Sequence, residues 1–258
     1  MVTIAADIWS YVALLGIWVL AYFLMGRAKT HPVVIKDMAV FDAFPEVVGR
    51  AAEVGRPVYM NGTVQIQSDG INAVTVSVLL NRVAELCAQQ SVRLKVITDF
   101  PEGVPILEET AYNAYVRMGK EADFDRSIVE YHPGVQQGSG LGGVGPISRE
   151  APAAYIGVGP MGAGGTMLIE VETAAVLGAV SVTGISRSGQ GPQRGNNAMG
   201  YVISDYNLMQ EEVFALVAKL SPGSEFMGCV QTCDYVKIGM LVYAILGGIL
   251  NLMGIIKL

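Results

Sequence analysis

Two uncharged apolar runs bracket this chain, Ile8 to Gly26 near its start and Ile238 to Ile256 near its end. Each is about 19 residues long, close to the ~20 that a helix needs to cross the hydrocarbon core of a bilayer. A helix that is apolar all round has no face to give to water, so lipid or protein must cover it. The runs also explain an unusual composition, 52% hydrophobic against 16% charged residues. The stretch between them, Pro32 to Lys237, reads as an ordinary water-soluble α/β domain.

The first run is read as an uncleaved anchor rather than a signal peptide, because no basic residue precedes it and no small-x-small cleavage site follows it. Trp9, Tyr11, Trp18 and Tyr22 supply interfacial aromatics, and Arg27, Lys29 and Lys36 place the downstream domain on the cytoplasmic side. The second run has two readings. As a membrane span it offers Ala244 and Gly248 for close helix approach and Asn251 for a hydrogen bond across the contact. As a buried helix it serves the domain or a subunit interface. The expected organisation is an anchor over 1–27, a linker over 28–40, an α/β domain over 41–237 and an apolar, membrane-spanning helix over 238–258.

Apolar runs alternate with helical patterns through the middle, as in a mostly parallel sheet with crossover helices. The spacing predicts helices over Phe41–Val54 (Asp42 as cap, Gly55 as stop), Ile71–Gln89, Ile106–Met118, Thr166–Leu177 and Leu208–Leu220. Strands are predicted over Pro57–Met60, Val92–Thr98, Ile128–Tyr131, Ala153–Val158, Ala179–Thr183 and Tyr235–Ile238. Gly134–Gly145 is read as a loop or a loose helix start, and Ser186–Gly200 as an exposed polar loop.

The order of these elements is one sign of kinship, and two patches are another: Val48-Gly-Arg-Ala-Ala-Glu-Val-Gly-Arg-Pro-Val58 and, above all, Cys233-Asp-Tyr-Val-Lys-Ile-Gly-Met-Leu-Val-Tyr-Ala244. They resemble a family of bacterial and archaeal membrane-associated proteins known as a domain of unknown function. The likeness spans Phe41 to Gly248. It implies a Rossmann-like α/β domain tied to a membrane, and it brings no activity and no catalytic residues. Two departures stand out. Residues 186–221 read as an insertion, and Met240-Leu241 stand where relatives carry acidic residues, which suits a helix facing lipid or another subunit.

The sharpest local motif is Gly157-Val-Gly159-Pro-Met-Gly162. It matches G-x-G-x-x-G between a predicted strand and a predicted helix, where glycines let backbone amides approach a pyrophosphate. Pro160 removes one of those amides, and no acidic residue follows the next strand to hold a ribose; Arg187 could meet a phosphate instead. The other reading is a tight strand-to-helix turn. Asn61, Asp99, His132, Gly159, Ser186 and Arg187 all follow predicted strands and converge on one sheet edge, where open α/β sheets bind ligands. The candidate nucleotide or phosphate set is therefore Gly157, Gly159, Gly162, Ser186, Arg187 and Asp99. Asp99 and His132 also suit turns.

Other chemistry is poorly represented. Cys87, Cys229 and Cys233 form no disulfide framework and no zinc signature, and read as small apolar residues. Two histidines and scattered carboxylates assemble no metal site. A net charge of −6 without a basic stripe argues against nucleic acid. The expectation is a non-enzymatic membrane protein without a resident cofactor that self-assembles into a homo-oligomeric scaffold in the bilayer. Its apolar ends and the Gly138–Gly145 segment would supply contacts. The alternative is a membrane-tethered nucleotide- or small-ligand-binding domain using Gly157–Gly162 and Arg187.

Overall fold

The computed structural model describes residues 8–31, 34–35, 39–62, 70–133, 137–159, 166–185, 202–205, 211–220 and 223–252. The chain divides into two compact units, one of residues 36–220 and one pairing residues 1–35 with 221–258.

The larger unit alternates helices and strands: α2 (Ala39–Val54), β1 (Val58–Asn61), α3 (Gly70–Gln90), β2 (Leu94–Thr98), α4 (Gly103–Arg117), β3 (Val129–Tyr131), α5 (Gln137–Glu150), β4 (Ala154–Gly159), α6 (Thr166–Val176), β5 (Val180–Ile185), β6 (Val202–Asp205) and α7 (Glu211–Leu220). Among the described residues six strands form one sheet in the order β3-β2-β1-β4-β5-β6, and every neighbouring pair is parallel. α2 starts three residues before Asp42 would cap it, and it stops at Gly55, whose φ of 70° is the left-handed conformation that ends helices.

Paired residues point to the same side of a sheet, so the register defines two faces. One row reads Val129, Val96, Met60, Ile156, Val182 and Val202, apolar from edge to edge. The opposite face carries Lys95, Tyr59, Tyr155 and Ser181 in one row and Asn61, Gly157 and Thr183 in the next. α2, α3, α4 and α7 pack among themselves, whereas α5 packs on α6. Successive residues at the end of β1 separate the two layers. A side chain at Gly62 would run into Val96 and Leu107 of α4, while Asn61 reaches Glu170 of α6. Arg56, just before β1, donates to the carbonyls of Ala151 and Leu177 and ties three strand starts together.

One expectation needs correction. Tyr235–Ile238 is not a strand; it lies inside α8 (Ser224–Leu252), an unbroken helix outside the α/β unit. A short apolar run fits either period, and no turn residue separates it from the helical pattern around it. The last strand is β6, which pairs Val202 with Val182. Gly134–Gly145 resolves in favour of helix from Gln137 onward, because packing on α6 overrides poor intrinsic propensity. The Ser186–Gly200 loop lies outside the described residues.

In the smaller unit α1 (Ile8–Ala28) packs against α8. Leu24, Ala28 and Thr232 are buried there, and a Cβ on Gly228 would sit 2.7 Å from the Cα and N of Met25. Beyond this contact the apolar side chains face outward: Leu15, Trp18, Tyr22 and Phe23 on α1, and Ile238, Leu241 and Tyr243 on α8. Among the described residues, one helix, over Tyr11–Ala28, is long and apolar enough to cross a membrane by length and composition.

Leu80 on α3 is fully enclosed, whereas Val176 at the end of α6 is 87% exposed. Leu80→Ala is expected to cost about 2–5 kcal/mol of stability, and Val176→Ala no more than about 0.5 kcal/mol. Denaturant unfolding of the detergent-solubilised chain measures both.

Candidate functional site

The strand order reverses between β1 and β4: β2 and β3 lie to one side, β5 and β6 to the other. Where two parallel strands send their following connections apart, a crevice opens at their carboxyl ends, and ligands of open α/β sheets bind there. In this chain that edge is formed by Asn61-Gly62 and Gly157–Gly159.

The chemistry beneath it centres on Glu170 of α6. Its side chain is 0% exposed. Asn61 Nδ2 donates to Glu170 Oε2 at 2.9 Å, and the Tyr155 hydroxyl donates to the same oxygen. Oε1 is buried with no hydrogen-bond partner among the described residues. It lies against Gly143 of α5, where an added Cβ would collide with it and stand 3.0 Å from Cδ. Burial pushes the carboxyl up to about 7; hydrogen bonds from Tyr155 and Asn61 oppose the rise, and the charge of Asp99 adds to it. The Tyr155 hydroxyl is likewise held well above its ordinary range, by burial and then by the charge of Glu170. Glu170 is thus a buried acid held well above the ordinary carboxylate range.

The sequence-derived candidates fall as follows. Gly157 and Gly159 are strand residues, pairing with Thr183 and Ile185, so the first two glycines of the motif extend the sheet instead of turning. Gly162, Ser186 and Arg187 lie outside the described residues. Asp99 follows β2 and acts electrostatically on Glu170. His132 is tied down beyond β3: its amide donates to Thr98 O at 2.9 Å, its Nε2 lies 3.5 Å from Glu130 Oε2, and its side chain fits against Gly142. Cys87, Cys229 and Cys233 are free thiols, with Cys87 buried and the other two partly so. Among the described residues no group of three or more His, Cys, Asp or Glu side chains could hold a metal.

Sequence reasoning missed Glu170, Tyr155 and Gly143. One signal was readable. Glu170 sits between Ile169 and Val171, one turn before Ala174, so helical spacing puts a carboxylate on the buried face of α6. A second cleft, of about 600 Å³, opens at the amino ends of the strands and is lined by Cys87, Arg93, Lys95 and Lys120. Its cations are already paired, Arg93 with Glu150 at 3.0 Å, Lys95 with Glu130 at 3.0 Å and Lys120 with Asp123 at 3.3 Å.

A family model described as a domain of unknown function, DUF6754, matches residues 2–258. The chain belongs to that family. No curated protein and no solved structure matches it. The match covers residues of both units.

Two glycines of α5 distinguish an enforced small residue from an incidental one. A Cβ at Gly145 would make only ordinary contact, 3.6 Å from Arg149 Nη1. Gly145→Ala is therefore expected to stabilise by up to about 1 kcal/mol through helix propensity. Gly143→Ala displaces a carboxyl held by two hydrogen bonds and should cost about 1–2 kcal/mol. Opposite signs in thermal or denaturant unfolding confirm the assignment.

Proposed function

We propose that this chain is a non-enzymatic membrane-anchored protein that self-assembles into a homo-oligomeric scaffold, with its Rossmann-like domain on the cytoplasmic side. The observation that supports it is the outward apolar surface on both helices of the smaller unit. Large side chains on α1 from Tyr11 to Phe23, and on α8 from Ile238 to Ile245, are exposed on the chain itself. An apolar surface of that extent calls for a cover of lipid or protein. Ile238–Leu252 carries no charged side chain, so this part of α8 suits lipid as well as α1 does. Gly228 against Met25 is the kind of small-residue contact that lets helices approach without a hydrophobic driving force. Arg27, Lys29 and Lys36 favour the cytoplasmic side for the α/β unit. Two anchored helices restrict the domain to the membrane plane, which raises its effective concentration toward neighbours. Ala244 and Gly248 on α8 are suited to contact between copies.

A second reading has one observation in its favour: the strand carrying Gly157 and Gly159 is a strand of the order reversal. There the domain would take a nucleotide or another phosphate ligand, with Arg187 as its cation. Placement of both glycines in the ladder weakens this reading, since strand amides are committed to neighbouring strands. Adenine nucleotides should shift the melting temperature on this reading, and Gly159→Trp or Arg187→Ala should abolish the shift.

For the scaffold, the chain is expected to stay with membranes through a carbonate wash and to run in mild detergent as one species well above its 27.4 kDa monomer mass. Leu15→Lys with Trp18→Lys adds two mid-span charges, each costing about 2.5–3.5 kcal/mol of insertion, and should release the α1 end from the membrane. A homogeneous monomer, or release of the wild type by carbonate, would overturn the proposal.

A further inference from the structure

Among the described residues Glu170 is the one carboxylic acid buried outright, and its two oxygens have unequal surroundings. Oε2 is closed off by the sheet, through Asn61 of β1 and Tyr155 of β4. Oε1 lies against α5 at Gly143 and has no hydrogen-bond partner among the described residues. A charge on that oxygen would be left uncompensated unless α5 moved to admit water.

We propose that protonation of Glu170 is a latch: the neutral acid keeps α5 seated on α6, and its ionisation releases α5 and opens the carboxyl edge of the sheet beside the strand-order reversal.

The groups around the acid compensate a charge only in part. Asn61 and Tyr155 donate to Oε2, but Oε1 has no hydrogen-bond partner among the described residues and Asp99 at the end of β2 contributes repulsion. From β5 comes the neutral Ser181, the register partner of Tyr155. Glu172 on α6 itself is a further carboxylate. α5 presents Gly143 to the acid, with His132 covering Gly142 next to it; Arg149 and Glu150 lie at the far end of that helix, where their charges act on Tyr59.

α5 is also the element best able to yield. Gly138, Gly140, Gly142, Gly143 and Gly145 weaken it intrinsically, and Pro146 removes a backbone donor inside it. Its helical state therefore depends on the packing that an ionised Glu170 would disturb.

The direction with pH follows from linkage. Opened, Glu170 titrates near its ordinary 4.5; closed, near 7. Between those values opening is coupled to loss of a proton, so the open fraction should rise roughly tenfold per pH unit and level off above about pH 7. Below pH 4.5 both forms hold the proton and the latch is insensitive.

Hydrogen exchange of the full chain in detergent, from pH 5 to pH 8 and corrected for intrinsic amide rates, tests this. Protection over 137–150 is expected to fall tenfold or more between pH 5 and pH 7 and then plateau, while 70–90 keeps its protection. Glu170→Gln should flatten the profile. Histidines titrate in the same range as a class, so His132→Gln serves as the control and should leave the profile in place. The wild-type profile stands without any variant, should Glu170→Gln fail to fold. A pH-independent 137–150 segment, an equal loss over 70–90, or an unchanged slope in Glu170→Gln would each overturn the latch.

Discussion

An all-parallel sheet has no face to leave to water, because each crossover connection must travel over one side of it and bury what lies beneath. That requirement organises the α/β unit. β1, β2 and β3 are laid out in one direction with α3 and α4 as their connections. The chain must then return past two strands to set β4 beside β1, and α5 makes that return in company with α6. The reversal fixes where any crevice can form. It also decides that the most glycine-rich helix spans the point where the sheet opens. Gly143 then follows from the acid it meets, since the carboxyl of Glu170 occupies the volume where a Cβ would be.

Much of this was legible because parallel strands are short apolar runs set off by turn residues. Val58–Met60, Val96–Ile97 and Tyr155–Ile156 are buried as their composition implies, and Gly55 ends its helix as its position implies. Legibility failed where local pattern and tertiary partner disagree. Val202-Ile203 is too short a run to distinguish from its polar surroundings, and becomes a strand only because Val182 and Thr183 lie open beside it. Tyr235–Ile238 has strand-like residues, yet nothing punctuates the helix that contains it. The site was less readable than the fold. The strand-end rule found Asn61 and Asp99, while the partner that joins them, Glu170, stands on a helix mid-turn; only its place on a buried face marks it. The glycine motif drew attention for its spacing, but spacing does not say whether a glycine bends the chain or continues a strand.

The two units solve opposite solvation problems. Among the described residues of the α/β unit most apolar strand side chains are enclosed, and paired charges such as Lys120 with Asp123 stand at the surface. In the smaller unit, burial among the described residues centres on Leu24, Ala28, Gly228 and Thr232, and the helical surfaces over Tyr11–Phe23 and Ile238–Ile245 are exposed and apolar. The chain thus has a hydrophobic exterior in one unit and a hydrophobic interior in the other. Water alone leaves the apolar helices uncovered, which is the physical argument on which the proposed membrane anchoring rests.

Within the sheet the two faces also differ in kind. The α3–α4 side presents an unbroken apolar row from Val129 to Val202, fixed by dispersion and by the cost of exposing it to water. The α5–α6 side presents Tyr59, Asn61, Tyr155 and Ser181, and its central contact is a hydrogen-bonded acid. Apolar packing responds weakly to pH; a buried acid responds to it strongly. On the proposed latch, sensitivity to pH therefore belongs to the α5–α6 layer, on the side where the return from β3 to β4 has to cross, and the apolar α3–α4 side has no such acid among its described sheet contacts.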